Sequence, residues 1–226
     1  MARDDAPSFD AELFAFLREL ADHNERPWFQ ANKDRYERHV KEPALAFVED
    51  VAFRLPGVSP HLTADQRSLF RIYRDTRFAR DKTPYKTHAG ISFRHARSGE
   101  ADTAGLYLNL EPRHVFMGAG IWHPGSPALK RIRTAIVTRP GAWREAVAAV
   151  GPDWELADGE ALKRAPVGFP ADHPQVEDLK RKSFAVVSRL TQRDATGRGF
   201  LDEFERRAIA ARPFMAFLSG ALGVEY

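Results

Sequence analysis

Cysteine is absent from this 226-residue chain, which removes disulfides, thiolate metal sites and cysteine nucleophiles together. The same absence fits a reducing compartment, so a cytoplasmic protein is expected. No stretch approaches the roughly 18 consecutive apolar residues of a membrane span. The opening Met1-Ala2-Arg3-Asp4-Asp5-Ala6-Pro7 has no apolar core of the kind a signal peptide carries. No membrane partner is expected. An excess of one charge is also missing: 34 Lys and Arg against 31 Asp and Glu leave +3, too little on its own to mark a nucleic-acid-binding protein. The chain holds no P-loop, no dinucleotide fingerprint, no G-x-S-x-G elbow and no H-x-x-x-H pair. No nucleotide, cofactor or metal is therefore expected, and His88, His95, His114 and His123 lack ligand spacing.

What charge there is gathers in one place. Residues 71–86 carry Arg71, Arg74, Arg77, Arg80, Lys82 and Lys86 against Asp75 and Asp81, a local balance of +4, so the remainder sums to −1. Guanidinium forks suit phosphate and carboxylate, and several in one cleft raise the local anion concentration. The plainer alternative is an ion-pair network in which the two aspartates brace the arginines.

The first 55 residues read as three helices. Ser8 is the expected cap of the first, with Leu13, Phe14, Phe16, Leu17 and Leu20 at helical spacing. Asn24 ends it, Pro27 opens the second, and Pro43 opens a third that Pro56-Gly57 breaks. From Leu69 the period changes to two. Residues 69–74 read as a strand with Phe70 and Ile72 inward and Arg74 on their side, where it needs an anion: Asp75, Asp81 or a ligand. Further strands are expected at 87–94 and 105–110, then a turn at Glu111-Pro112-Arg113 and a return over 114–118. Ser126-Pro127 caps a helix running to Ile136, with Lys130, Arg131 and Arg133 on its polar face. Another helix runs from Trp143 to Val150. Residues 152–174 are mostly loop with a short strand near 161–165, and a helical turn follows at 176–179. A short strand at 184–187, a last helix and a terminal turn from Pro213 complete the chain. The fold class is α+β: an antiparallel sheet of about five or six strands with N-terminal and C-terminal helices packed against it. One domain over 1–226 is expected, helical over 9–55, sheet over 68–120 and mixed over 126–226.

The stretch Phe70 to Lys86, F-R-I-Y-R-D-T-R-F-A-R-D-K-T-P-Y-K, resembles the signature of a bacterial and fungal family known as domain of unknown function 2461. Trp28-Phe29 with Asn32 and Tyr36, the run Gly118 to Trp122, Leu162-Lys163-Arg164, Gly168-Phe169 and Lys182-Ser183-Phe184 extend the resemblance over nearly the whole chain. It implies one self-contained domain and supplies no mechanism.

The functional expectation is a small anionic ligand, bearing phosphate or carboxylate, in a cleft lined by Arg71, Arg74, Arg77, Lys82 and Lys86 with Tyr73 and Tyr85. The glycines of Gly118-Ala119-Gly120 let backbone approach a ligand, and the helix start at Ser126 attracts anions. Asp75, Asp81 and His88 are the candidate proton-transfer groups if the site is catalytic. The alternative is a nucleic-acid or acidic-partner module using the same basic segment as a surface patch. Depth separates the two: a concave cluster favours the small ligand, an exposed ridge the polymer.

Overall fold

The computed structural model describes residues 7–99 and 102–226. The opening segment weighed as a signal peptide lies, up to Ala6, outside the described residues. Helix α1 spans Ala11–Asp22 and is capped by Asp10, whose carboxylate accepts the Leu13 N–H at 3.0 Å. Ser8 is not the cap, because the intervening Phe9 is buried and the helix begins after it. Helix α2 (Arg26–Ala31) starts on Pro27 as expected.

The third helix begins earlier than Pro43. Helix α3 (Lys33–Tyr36) passes through a π-helical stretch, Glu37–Lys41, into α4 (Glu42–Val58) without a break. Proline lacks an N–H and crowds the carbonyl four residues back, and the widened turn just before Pro43 absorbs that conflict. Pro56 falls in the last turns of α4, so it marks the end rather than causing it.

Six strands form one antiparallel sheet in the order β1-β2-β3-β4-β6-β5: β1 Leu62–Thr63, β2 Ala89–His95, β3 Gly105–Leu110, β4 Val115–Ile121, β5 Glu155–Leu156 and β6 Phe184–Leu190. The fold is therefore α+β. The short strand of the 152–174 region is β5; near 161 there is only a single bridge, Ala161 to Arg181. Between β4 and β5 lie α5 (Ser126–Thr138) and α6 (Pro140–Ala148). Helix α7 (Val176–Lys180) precedes β6, and α8 (Gln192–Ala195), α9 (Phe200–Ala210) and α10 (Arg212–Leu222) follow it. Pro213 begins a full helix rather than a turn, because Phe214, Met215, Phe217 and Leu218 supply a buried stripe that stabilises it.

Period-two alternation sorts the sheet into two faces. Ile91, Phe93, Leu106, Leu108, Met117, Ala119, Phe184 and Val186 are buried on one. Helices cover that face: Phe204 of α9 meets Phe93 edge-on at 5.3 Å, and Trp143 of α6 meets Phe184 at 6.0 Å. Trp143 is anchored by its indole N–H, which donates to Asp178 at 2.7 Å. Arg133 does not lie on the polar face of α5. It is buried, donating to the Arg181 carbonyl at 2.9 Å, and desolvation lowers its pKa.

The segment 69–74 keeps its alternation but is not a strand of the sheet. The Phe70 N–H reaches Gly90 at the edge of β2, after which the chain turns to pair with its own continuation. Arg74 donates to Pro84 at 2.9 Å and Lys86 to Ile72 at 2.7 Å, either side of a Tyr73–Tyr85 bridge. Pro84 has no N–H, so this ribbon cannot lengthen. Asn24 fastens the ribbon to the helical layer. Its amide donates to the Tyr85 carbonyl at 2.9 Å and accepts from the Tyr85 N–H at 3.0 Å, while the Tyr85 ring stacks on Phe29 at 4.1 Å.

Asn24→Ala strands both backbone groups of a buried residue, and each buried unpaired group costs about 1–3 kcal/mol. The variant is expected to lose about 2–4 kcal/mol in urea unfolding. A loss below about 0.5 kcal/mol, within the range of ordinary surface changes, would refute the clamp.

Candidate ligand-binding cleft

Among the described residues no helix lines the second sheet face, and its residue types are unusual for one that meets water. The outward positions are Ser92 and Arg94 on β2, Gly105 and Tyr107 on β3, Phe116, Gly118 and Gly120 on β4, and Ala185, Val187 and Arg189 on β6. Register places Ser92, Tyr107, Gly118, Val187 and Glu155 in one row across the sheet, with Gly105, Gly120 and Ala185 in the next. Rows of small side chains between aromatics leave a cleft of about 810 Å³, bordered by Phe70 on one side and by Trp122, Asp102 and Asp158 on the other.

Two floor glycines have different reasons to be there. Gly120 is structural: its φ is +131°, and a Cβ would collide with the Phe184 carbonyl. Gly118 has no such reason. Its φ is not positive, and a Cβ would meet nothing closer than Tyr107 Cβ at 3.7 Å. A glycine inside a strand costs roughly 0.5–1 kcal/mol against alanine, so its effect here is to keep the floor low. Tyr107 beside it is pushed up to about 12 by burial and then by the Glu111 charge, so its hydroxyl stays protonated and donates to Asn109 at 3.2 Å.

The structure divides five of the six cations of residues 71–86 into two groups. Arg74, Arg77 and Lys82 belong to a braced loop away from the cleft. Arg74 donates to Asp81 at 2.5 Å and to the Thr83 carbonyl at 3.2 Å, and also touches the Thr83 hydroxyl. Arg77 grips Asp75 through two bonds at 3.0 and 2.7 Å, and Lys82 donates to the Thr76 carbonyl at 2.9 Å. The anion that Arg74 needs is thus Asp81, itself 61% exposed, so the pair is a surface bridge rather than a buried one. Phe78 at the loop tip is 96% exposed. Tyr73 and Tyr85 pack on Phe29. Asp75 and Asp81 are both held below the usual carboxylate range. For Asp75 the cause is first its bonds from Arg77; for Asp81, which falls to about 2, it is first the Thr83 N–H and then Arg74. Carboxylates so firmly ionised make weak proton acceptors near neutrality. His88 is half-buried, burial lowers its pKa, and it does not line the cleft.

The second group gathers around Phe70 at the cleft border. The Lys86 ammonium lies over the Phe70 ring at 5.3 Å and donates to the Arg71 carbonyl, while the Arg94 guanidinium lies over the same ring at 5.6 Å. Burial, then the neighbouring Arg71 charge, lowers the Lys86 pKa. Among the described residues no carboxylate forms an ion pair with Arg71, Lys86 or Arg94. The Asp65 charge that Arg94 helps keep ionised is gripped by Arg67 at 3.1 and 2.7 Å. Positive charge is left uncompensated there.

Ser126 is the first residue of α5, not its cap. Gly125 occupies the cap position and donates to Asp102 at 3.1 Å, and Ser126 does not line the cleft. Arg94, Tyr107, Phe116 and Asp102 escaped the sequence reading, although glycine and aromatics at alternate positions of 105–109 and 116–120, where a solvated face would carry charge, were a usable signal. Among the described residues no three His, Asp or Glu side chains gather as a metal site, and no helix is long and apolar enough to cross a membrane.

The Asp81 bond to Thr83 carries a pH signature. A carboxylate with a depressed pKa contributes its bond above its ordinary value of 3.8, and the bond is lost as pH falls toward about 2. The Thr83 amide NMR shift is expected to titrate with a midpoint near 2. The midpoint moves up toward 3.8 in Arg74→Ala and stays put in Arg80→Ala. A wild-type midpoint at 3.8 would remove the bracing role.

No curated protein matches the chain. A family match covers residues 12–217 and spans the helical layer, the ribbon and the whole sheet. The chain belongs to the family described as conserved hypothetical protein (DUF2461).

Proposed function

We propose that the protein binds a small organic anion, bearing carboxylate or phosphate, on the open face of its sheet. The body of the ligand lies over Gly118 between Tyr107, Phe116 and Trp122, and its negative group meets Arg94 and Lys86 beside Phe70. Gly118 carries this reading: it is a glycine that neither backbone conformation nor crowding requires, at the centre of a floor large enough for a metabolite. The cations without carboxylate partners at the border set the sign of the ligand's charge.

This moves the anion site from the expected position. No residue of the segment 71–86 lines the cleft itself; Arg71 and Lys86 gather at Phe70 on its border, while Arg74, Arg77 and Lys82 brace a loop. That loop, with Arg77 78% exposed, is the surface a polymer would meet, but three of its four cations, Arg74, Arg77 and Lys82, are engaged within the loop.

Gly118→Leu fills the floor without touching a buried contact. It is expected to keep the fold and to abolish stabilisation by ligand. In a thermal-shift panel of phosphates and carboxylates, a saturating anion should stabilise the wild type by about 2.7 kcal/mol at a hundredfold excess over Kd. Lys86→Ala with Arg94→Ala should weaken it at least about tenfold, as loss of charge-assisted bonds requires. A shift that survives Gly118→Leu, or salt-sensitive binding of unrelated DNA lost in Arg77→Ala with Arg80→Ala, would transfer the function to the loop.

A further inference from the structure

The cleft is charged differently at its two sides. Arg94 and Lys86 stand at the β2 side around Phe70. Two aspartates line the cleft with Trp122: Asp102, on the β2–β3 connection and held by Gly125 just after β4, and Asp158, just after β5. Neither aspartate has a cationic partner among the described residues; Asp102 accepts only the Gly125 N–H, at 3.1 Å. By contrast Glu155 and Arg189, also lining the cleft, neutralise each other at 2.8 Å. Trp122 is 62% exposed beside the two aspartates, and an indole face attracts cations. A plain anion would gain at the first side and be repelled at the second.

The distance between the sides follows from the strand order. From Arg94 on β2 to β4, beside whose end Gly125 holds Asp102, there are two inter-strand steps, about 10 Å at roughly 4.8 Å each. That is about the length of an extended tripeptide at about 3.3 Å per residue. The floor between, Gly118, Gly120 and Ala185, offers no charge of its own and admits an apolar or planar middle.

We propose that the ligand is an extended zwitterion, the chemistry of a short peptide with both termini free. Its carboxylate lies at Arg94 and Lys86, and its ammonium at Asp102 and Asp158 against Trp122. The inference rests on the cleft being the binding site and adds the second, cationic end of the ligand.

Calorimetric titration of the full chain with three probes tests it: the tripeptide Gly-Phe-Gly, its N-acetyl form and its C-terminal amide. The free peptide is expected to bind at least tenfold tighter than either capped form. Asp102→Asn with Asp158→Asn should erase its advantage over the N-acetyl form while leaving the N-acetyl form's own affinity unchanged or stronger. Gly118→Leu should abolish binding of all three. If the N-acetyl form binds as well as the free peptide, and the double asparagine variant tightens it, the ligand is a simple anion: the zwitterion is wrong and the cleft survives. The zwitterion also falls if phosphate or carboxylate probes saturate the cleft and no peptide does. Peptide binding indifferent to Gly118→Leu, or no binding of any probe, overturns both readings.

Discussion

Register is the constraint on which the rest of this structure depends. Side chains alternate across a strand, so a slip of one residue in β3 or β4 would exchange Leu106, Leu108, Met117 and Ala119 for Gly105, Tyr107, Phe116 and Gly118. The aliphatic set would then face water, and two glycines with Tyr107 and Phe116 would face the helices. Burial of one face against α6 and α9 through Trp143 and Phe204 therefore also determines what the other face displays. Packing and cleft are two consequences of a single pairing.

The residues 71–86 show how a conspicuous sequence feature divides its labour. Cations that looked like one cluster separate because the chain doubles back at the Tyr73–Tyr85 bridge. Arg74, Arg77 and Lys82, on the loop side of that bridge, find Asp75, Asp81 and loop carbonyls within reach. Those at the two ends, Arg71 and Lys86, emerge together beside Phe70. Local charge counting cannot separate the two groups, since both contribute equally to the sum.

Much of the architecture was legible in the sequence. Strand 105–110, the start of the strand at 184, the hairpin at Pro112 and the helices near 126 and 140 follow from periodicity, proline and glycine, which act locally. What escaped depends on partners far along the chain. Asn24 reads as a helix end, yet its function is to pair with Tyr85, sixty-one residues on. Arg133 reads as solvated until the Arg181 carbonyl is placed over it. The cleft was half visible: Gly118 and Gly120 stood out, but Arg94 and Asp102 acquire meaning only once β2 is paired beside β3 and the turn before β3 is tied to Gly125 after β4.

The sheet ends at each side in a two-residue strand, β1 and β5. An open face carrying Tyr107, Phe116 and Val187 is ordinarily a hazard, because long unpaired edges beside it recruit other chains strand by strand. Here the outer rim of β2 is occupied by Leu62–Thr63 and by the Leu69 bridge, and that of β6 by Glu155–Leu156 and the Ala157 N–H. Another molecule of the protein finds little free backbone with which to extend the sheet. The stubs thus let an apolar surface stay uncovered in a crowded solution without seeding aggregation.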